Sequence, residues 1–492
     1  MARINTNISS MLAQRNLART SDDLAMRLQR LSTGLRINRG ADDPAGLIVS
    51  ERLRSEIKGI TQAIANSQRA SSVIATTEGY LAEAADLLIS IKALIVGAAN
   101  TGAVSREEIE ANQLQVDSAI ESITRISNTA SFAGLQLLNG SMEYLTSGVP
   151  ASAIAGVNIF SAQFGNNTTI NVNVEVVSSA QAATLFLSGN TVGSTGALLS
   201  SVTVELAGNL GVQTLSFVSG TSLTDVVAAV NTLRDSTGVS AALVSAADQS
   251  SGLTFNSVRF GSDQFVSVRK IGDSGKFFDV YTTQNGDAVQ RDKGENVKAI
   301  INGALAVGDG VDVTLNTPTL SLELELSTDF AQVTGVAKSF VITGGGANFQ
   351  LGPDINATQQ VGFGVQSIAG SRVGGTTIEG VRYFLESIKS SGANSLISGR
   401  TFQAAQVLES AISDISILRG RLGAFERNTI QTNIRALQVG LENITASESV
   451  IRDADFAFET AALTRAQILQ QAGTSVLATA NLTSQNVLAL LG

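Results

Sequence analysis

The chain has 492 residues, with 33 lysines and arginines against 42 aspartates and glutamates, a net charge of -9 at pH 7. It contains no cysteine, which excludes disulfides and thiolate sites, and no histidine, which removes the commonest general base and metal ligand. The acidic balance argues against nucleic acid as a partner, because phosphate binding needs a concentrated basic surface.

The N-terminal sequence MARINTNISS lacks the basic start and apolar core of a cleaved secretory signal. The apolar run at residues 87–96 carries Lys92 and is shorter than the roughly 18 residues of a membrane span. We therefore expect no membrane insertion, and any export would use a route that does not read a cleaved signal.

The N-terminal segment carries a narrow apolar stripe with the three- and four-residue spacing of a coiled coil. Its neighbours include Asn, Ser, Thr and Gln, so a single helix of this kind buries little surface alone. We expect it to pair with another segment. The stripe consists of Ile4, Ile8, Met11, Leu24, Leu28, Leu31 and Leu35.

A long helix is predicted from residue 44 to about residue 98, because Asp43 can cap it and Pro44 suits its first turn. At 1.5 Å per residue it would be roughly 80 Å long, which suits a rod. Ser105 and Glu108 form a capping box that opens a third helix. The stripe of the long helix contains Leu53, Ile57, Ile60, Ile64, Ile74, Leu81 and Leu88.

The middle of the chain, residues 150–375, alternates apolar and polar residues with period two between Gly, Asn and Ser turns. The runs at 170–176, 202–206 and 320–326 predict antiparallel strands with one face in water. A helical insert is predicted from Ser222 to Arg234. We expect one or two small β-rich domains, with a boundary near residues 260–295.

The C-terminal segment returns to helical stripes. Ala411, Ile415, Leu418, Leu422 and Phe425 step by four and three, and the pattern resumes after a phase slip. An intramolecular bundle and intermolecular pairing both remain open for the inner helices, whereas pairing is favoured for the outermost segments. The resumed stripe is Ile430, Ile434, Leu437, Leu441, Ile444 and Ile451, and a last helix at about 455–490 carries Leu469, Val476, Leu488 and Leu491.

No constellation of residues predicts catalysis, a metal site or a cofactor. The run Gly344-Gly345-Gly346 is not followed by a helix opening and favours a turn over a phosphate loop. We expect a protein that is not an enzyme.

Both ends of the chain resemble bacterial flagellin. The matching segments are INTNISSMLAQRNL at 4–17, LSTGLRINRGADDPAGLIVSERLRSEIKGI at 31–60 and VIRDADFAFETAALTRAQILQQAGTSVLATANLTSQNVLALL at 450–491. The resemblance covers about residues 1–140 and 375–492. In the middle, TSLTDVVAAVNTLRDSTGVSAAL at 221–243 resembles a short repeat inserted in flagellins and hook-associated proteins.

The resemblance implies an α+β multidomain protein. Residues 1–43 plus 455–492 would form a coiled-coil filament-core domain, and 44–145 plus 375–454 a helical rod domain of the outer tube. Residues 150–375 would form a β-rich, surface-exposed region. The apolar stripes of the terminal and inner helices would supply the packing residues of the core and rod domains respectively.

The resemblance also implies a function. The chain would be a structural subunit that self-assembles into the flagellar filament, gives swimming motility and needs no cofactor. It would be exported unfolded by the flagellar type III apparatus, with terminal helices that are unfolded before assembly. Its partners would be further copies, an export chaperone at the C-terminal helix, and the filament cap and hook-associated proteins, in an extracellular location.

One segment departs from the family pattern. Flagellins that the animal innate receptor recognises carry a Leu-Gln-Arg-Val-Arg-Glu-Leu-like run, and the matching residues 88–94 here are LISIKAL. Ser90 replaces the central arginine, so we predict weak or absent receptor signalling. The matching segment includes Ile89, Ser90, Lys92 and Leu94.

Three alternatives remain at this point. A hook–filament junction protein shares the terminal coiled coil, but such proteins usually match flagellin poorly over the last forty or so residues. An enzyme displayed on a flagellin scaffold would resemble the known His-based zinc proteases, which a chain without histidine cannot reproduce. A carbohydrate-binding role for the β-rich middle is compatible with a filament subunit.

Overall fold

The computed structural model describes residues 6–165, 167–188, 196–272, 275, 278–283, 288–378 and 380–489, with side chains as far as Leu482. The chain divides into two compact units. The first contains the described residues of Met1–Ser72, Gln350–Ile355 and Gly423–Gly492, and the second those of Val73–Phe349 and Asn356–Leu422. These limits differ from the expected boundaries at residues 43 and 455, and that finer division stays a prediction.

Long helices form both ends of the described chain, which confirms the expected α+β class. A π-helical turn at Glu426–Ile430 joins α7 directly to α8. The helices are α1 Ile8–Thr33, α2 Pro44–Ala98, α3 Arg106–Thr129, α4 Leu223–Thr232, α5 Arg234–Thr237, α6 Thr328–Ala331, α7 Thr401–Phe425, α8 Gln431–Arg452 and α9 Phe456–Ala489.

Most of the described strands lie within the predicted β-rich region at 150–375, and the short strands at 131–147 and 376–383 lie outside it. The first eleven are β1 Ser131–Phe132, β2 Leu135–Gln136, β3 Tyr144–Ser147, β4 Ile154–Ala162, β5 Ile170–Ser178, β6 Thr184–Ser188, β7 Val202–Gly208, β8 Val212–Phe217, β9 Val239–Ser245, β10 Asp248–Ser257 and β11 Phe265–Lys270. The others are β12 Val280–Tyr281, β13 Arg291–Lys293, β14 Lys298–Ile301, β15 Ala304–Asp309, β16 Asp312–Asn316, β17 Leu320–Leu326, β18 Ala337–Gly345, β19 Ala347–Gln350, β20 Gln360–Phe363, β21 Thr376–Ile378 and β22 Val381–Tyr383.

The predicted helix starts are confirmed by their caps. The Gly46 amide donates to Asp43 Oδ1 at 2.9 Å, which satisfies a free amide at the start of α2. Ser105 and Glu108 complete a capping box at α3. Ser222 caps α4, but the predicted single helix there is two, because Leu233 leaves α4 and α5 follows.

The buried side chains of α2 recur every three and four residues from Ile60 to Ala98. Three predicted rod residues, Ile60, Leu81 and Leu88, belong to this stripe. Leu422 of α7, another predicted rod residue, is buried too. The remaining predicted rod residues are half-buried, namely Leu53, Ile57, Ile64, Phe425, Ile434, Leu437, Leu441 and Ile444. Their role in a rod stays a prediction. The buried stripe contains Ile60, Ala63, Ser67, Ala70, Ile74, Thr77, Leu81, Ala84, Leu88, Ile91, Ile95 and Ala98, and Val73 beside Ile74 is buried as well.

The middle of the chain contains two hydrophobic clusters. One lies on an antiparallel sheet of eight strands in the order β3-β18-β5-β14-β15-β16-β17-β4. Its buried residues include Val172, Val174 and Val176, which confirms the period-two prediction.

The second cluster lies between residues 183 and 280 and is inserted in sequence between β5 and β14. It contains two four-stranded sheets, in the orders β12-β6-β10-β9 and β13-β11-β7-β8, and the buried face of α4. The chain passes from the eight-stranded sheet into the second cluster near Ala180, and the apolar pattern of the sequence did not indicate this connection. No helix in the described part of the chain combines the length and apolar character that a membrane crossing requires.

Candidate assembly interface

Helices α1 and α9 lie side by side and run in opposite directions. Near one end, the Asn7 side chain donates to the Ala480 carbonyl at 2.9 Å and the Ser10 hydroxyl donates to Asn481 at 2.7 Å. Near the other end, Arg27 of α1 contacts Glu459 of α9. Residues more than 430 positions apart therefore form one antiparallel helix pair.

The surface shared by α1 and α9 combines small and polar side chains with half-buried leucines. A Cβ at Gly473 would lie 3.3 Å from the Leu17 side chain, so Gly473 lets Leu17 pack closely on α9. The buried and half-buried positions recur every three and four residues, as in a coiled coil. On α1 they are Ser10, Ala13, Leu17, Thr20, Leu24, Arg27 and Leu31, and on α9 they include Glu459, Leu463, Ala466, Gln470, Gly473, Leu477 and Ala480.

An ionic cluster closes one end of this seam. The Glu459 carboxylate, with 4% of its side chain exposed, accepts hydrogen bonds from Arg27 at 2.8 Å and Arg30 at 3.1 Å. Burial by itself raises the pKa of Glu459, but the hydrogen bonds and charges of the two arginines outweigh burial, and the net pKa lies below its ordinary value. The hydrogen bond to Glu459 raises the pKa of Arg27.

The chain between α8 and α9 is attached to the end of α1. Leu35 and Asp453 form an isolated antiparallel bridge. The Arg36 amide donates to the Arg452 carbonyl at 2.7 Å, and the Ala454 amide donates to the Gly34 carbonyl at 2.9 Å. Gly34 ends α1 in the left-handed conformation, with φ at 74°, a value that favours glycine.

The predicted core residues of α1 separate into two groups. Leu24, Leu31 and Leu35 are half-buried. Ile8, Met11 and Leu28 are at least half exposed. Leu24 and Leu31 belong to the seam, whereas the three exposed residues do not, and packing of all of them in a filament core stays a prediction.

The predicted core residues of α9 also face away from the seam. Leu469 is 52% exposed and Val476 is 59% exposed. With about 100° per residue, both lie with Phe458 on one face, roughly a quarter turn from the seam. Phe458 was not predicted, although its spacing of 11 residues to Leu469 was a usable signal. Ile4 and Leu491 lie outside the described residues, as does the side chain of Leu488.

Further exposed apolar residues of α1 lie opposite the seam. Ile8, Leu12 and Met26 share this face at about 100° per residue. Leu12 and Met26 were missed because neither fits the three-and-four stripe of leucines. The helix pair therefore carries separate apolar faces that its own seam does not cover.

The segment that departs from the family motif lies on α2. Ile89 is exposed, and the exposed Ser90 hydroxyl donates to the Asp86 carbonyl at 3.0 Å. Lys92 forms an ion pair with Glu409 of α7 at 3.0 Å, and Leu94 is half-buried. The position of the missing arginine is thus a surface position occupied by a short hydroxyl side chain.

Within the described residues, no group of three or more acidic side chains is arranged to hold a metal ion. A cavity of about 530 Å³ is lined by polar residues of the loop before β5 and by Asn302, which lies between β14 and β15. It holds no arrangement of a nucleophile and a base.

Comparison with known proteins identifies the family. Residues 4–143 match the bacterial flagellin N-terminal helical region, and residues 405–491 match the C-terminal helical region. The B-type flagellin of Pseudomonas aeruginosa is 30% identical to this chain, over 99% of both proteins. The chain belongs to the bacterial flagellin family. The flagellin of Salmonella rubislaw is 29% identical over 99% of each chain.

This flagellin is a structural subunit of the flagellar filament, an extracellular assembly, and is not an enzyme. A solved hook associated protein-3 of Legionella pneumophila is 12% identical and covers 81% of this chain and 97% of its own. Its TM-score of 0.29 is too low to support a conclusion about this flagellin.

Proposed function

We propose that this flagellin polymerises through its terminal helix pair, which forms the core of a filament used for swimming. The supporting observation is the set of large apolar side chains on α1 and α9 that point away from their shared seam. Leu469 and Val476 on α9 and Ile8 and Met11 on α1 are each more than half exposed. Neighbouring copies would bury these side chains and stabilise the polymer.

Assembly and ordering of the ends are coupled in this proposal. The seam between α1 and α9 contains small residues such as Ser10, Ala13 and Ala466, and its leucines are only half-buried, so its apolar burial is incomplete. Ordering the backbone costs roughly 1–2 kcal/mol per residue. The ends would therefore be disordered before assembly, and burial against neighbouring copies would offset the ordering cost.

Export would follow the flagellar type III route, with the chain threaded unfolded. The absence of cysteine supports this, because no disulfide can hold the chain in a folded loop. Before export, a chaperone would cover the exposed apolar side chains of α9, including Ile468 and Leu469. The filament cap and hook-associated proteins would contact the growing and basal ends of the polymer.

Seeded polymerisation of purified protein tests the role of the exposed α9 face. Leu469→Asp should prevent elongation, because a charge at this contact would be buried without a partner. Leu469→Met keeps the apolar volume and should elongate like the natural protein. Light scattering after addition of filament fragments measures both. Normal elongation of Leu469→Asp, with the variant incorporated into filaments, would contradict the proposed contact.

A further inference from the structure

Three carboxylates form a row across neighbouring strands of the eight-stranded sheet. Asp309 of β15 is paired directly with Asp312 of β16, and Asp312 is paired with Glu325 of β17. Directly paired residues on one face have Cβ atoms roughly 5 Å apart, and like charges at such positions repel. We call Asp309, Asp312 and Glu325 the acidic row.

A single arginine contacts one end of the acidic row. Arg382 of β22 forms an ion pair with Glu325 at 2.6 Å and donates to the Ala155 carbonyl at 2.8 Å. A Cβ at Gly156, which pairs with Glu325, would lie 3.0 Å from the Arg382 guanidinium. Gly156 therefore lets the guanidinium lie close to the sheet.

Arg382 does not neutralise the whole row. Within the described residues, the Asp312 carboxylate has neither an ion pair nor a hydrogen bond, and it is half-buried. The surrounding charges come from every element packed on this face. They are Asp309 of β15, Glu323 and Glu325 of β17, Arg382 of β22, and Asp414 and Arg421 of α7.

Two of these neighbours are held by other contacts. Asp414 accepts a hydrogen bond from the Gly374 amide at 2.9 Å, and Arg421 stacks over the Phe160 ring at 3.4 Å. Neither one donates to Asp312, so acids outnumber bases around it. A neutral Asp312 removes a buried charge and one repulsion on each side of it.

We propose that the acidic row is a pH-dependent switch, in which a proton on Asp312 stabilises the pairing of β15, β16 and β17 and loss of this proton destabilises it. Burial and the charges of Glu325, Glu323 and Asp309 raise the pKa of Asp312 from 3.8 to about 7. The folded state therefore binds a proton that the opened state has released between these two values. The contribution of Asp312 to the stability of these strands is fully present below about pH 4 and is lost as the pH rises from about 4 to 7.

Native-state hydrogen exchange of the full chain, corrected for the intrinsic pH dependence of amide exchange, tests this switch. Protection of the β16 and β17 amides should fall about tenfold per pH unit between pH 5 and 6.5. Carbon-13 NMR of the Asp312 carboxyl should show a midpoint near 7. Asp312→Asn should keep the amides protected at pH 7 and remove the pH dependence, while Asp235→Asn in α5, remote from the row, should change neither.

Two further variants make the test independent of how well Asp312→Asn folds. Asp309→Asn removes a repulsion and should lower the midpoint of Asp312, whereas Arg382→Gln removes a cation and should raise it. If these residues had only a structural role, the two variants would not shift the titration midpoint of Asp312 in opposite directions. An Asp312 midpoint near 4, or unchanged pH dependence in a folded Asp312→Asn variant, would overturn the proposal.

Discussion

Glu459 accepts a hydrogen bond from Arg27 at 2.8 Å, although the two residues are 432 positions apart in the sequence. Arg30, one turn along α1, contacts the other oxygen of the same carboxylate. A shift of α9 along α1 by one turn would separate Glu459 from at least one of these partners. The two contacts therefore favour one register of the helices.

Glu459→Gln should weaken the terminal pairing by about 1.5–3 kcal/mol, the range for hydrogen bonds to charged groups. Because the folded-state pKa of Glu459 is lowered from 4.5, its contribution is present above that value and is lost as the pH falls through the lowered pKa. The thermal dissociation temperature of natural filaments should fall in this acid range. The dissociation temperature of Glu459→Gln filaments should be lower than the natural one at neutral pH and should change less as the pH falls.

The exposed Glu442 of α8 provides a matched control for this charge removal. Glu442→Gln filaments should dissociate at the natural temperature across the same pH series. If Glu459→Gln filaments match the natural ones at neutral pH, the ionic cluster does not contribute to pairing.

Adjacent residues of α2 should respond very differently to truncation. Leu88 is 0% exposed and Ile89 is 59% exposed. Leu88→Ala should lower the free energy of unfolding by about 2–5 kcal/mol, through lost transfer energy and a cavity. Ile89→Ala should change it by no more than about 0.5 kcal/mol. Urea unfolding of monomeric protein, followed by circular dichroism, measures both, and equal effects would mean that the assigned helix face is wrong.

The π-helical turn at Glu426–Ile430 absorbs one extra residue between α7 and α8. Phe425 and Ile430 are five residues apart, and removal of exposed Asn428 would leave the four-residue step of a regular α-helix. Half-buried Ile434 and Leu437 would then keep their face. We expect deletion of Asn428 and Asn428→Ala both to change stability little, by about 0.5 kcal/mol or less. A melting temperature far below the natural one for the deletion variant would contradict this role.

Receptor signalling should be weak or absent. Ser90 occupies an exposed position where receptor-recognised flagellins have arginine, so a reporter-cell assay with purified monomer should give little activation. Ser90→Arg should raise the response, and Ser72→Arg, at another exposed position of α2, should not. Potent activation by the natural monomer would refute the prediction.

Local signals in the sequence predicted many of the individual elements. Asp43-Pro44 and the Ser105 capping box marked helix starts because their side chains satisfy free amides at those positions. The five-residue step from Phe425 to Ile430 marked the phase slip that the π-helical turn produces. Alternation at Val172, Val174 and Val176 predicted a strand for the same local reason.

The terminal pairing could be predicted only in part. The sequence showed that both ends are amphipathic, but it could not show which face meets which, since seam residues such as Ala13 and Gly473 carry no strong apolar signal. Leu469 and Val476 were predicted to pack in the filament core, which stays a prediction. Their exposure in the chain is the basis for proposing contacts with neighbouring copies.

Electron microscopy of the full chain beside a shortened chain lacking residues 1–40 and 455–492, under salting-out conditions with filament seeds, tests the central claim most directly. We predict long tubular filaments from the full chain and only monomers from the shortened chain, whose β-rich region should stay folded by circular dichroism. Filaments of the shortened chain would show that assembly does not depend on α1 and α9. If the full chain also stayed monomeric on natural seeds, the proposed self-assembly through these helices would be contradicted.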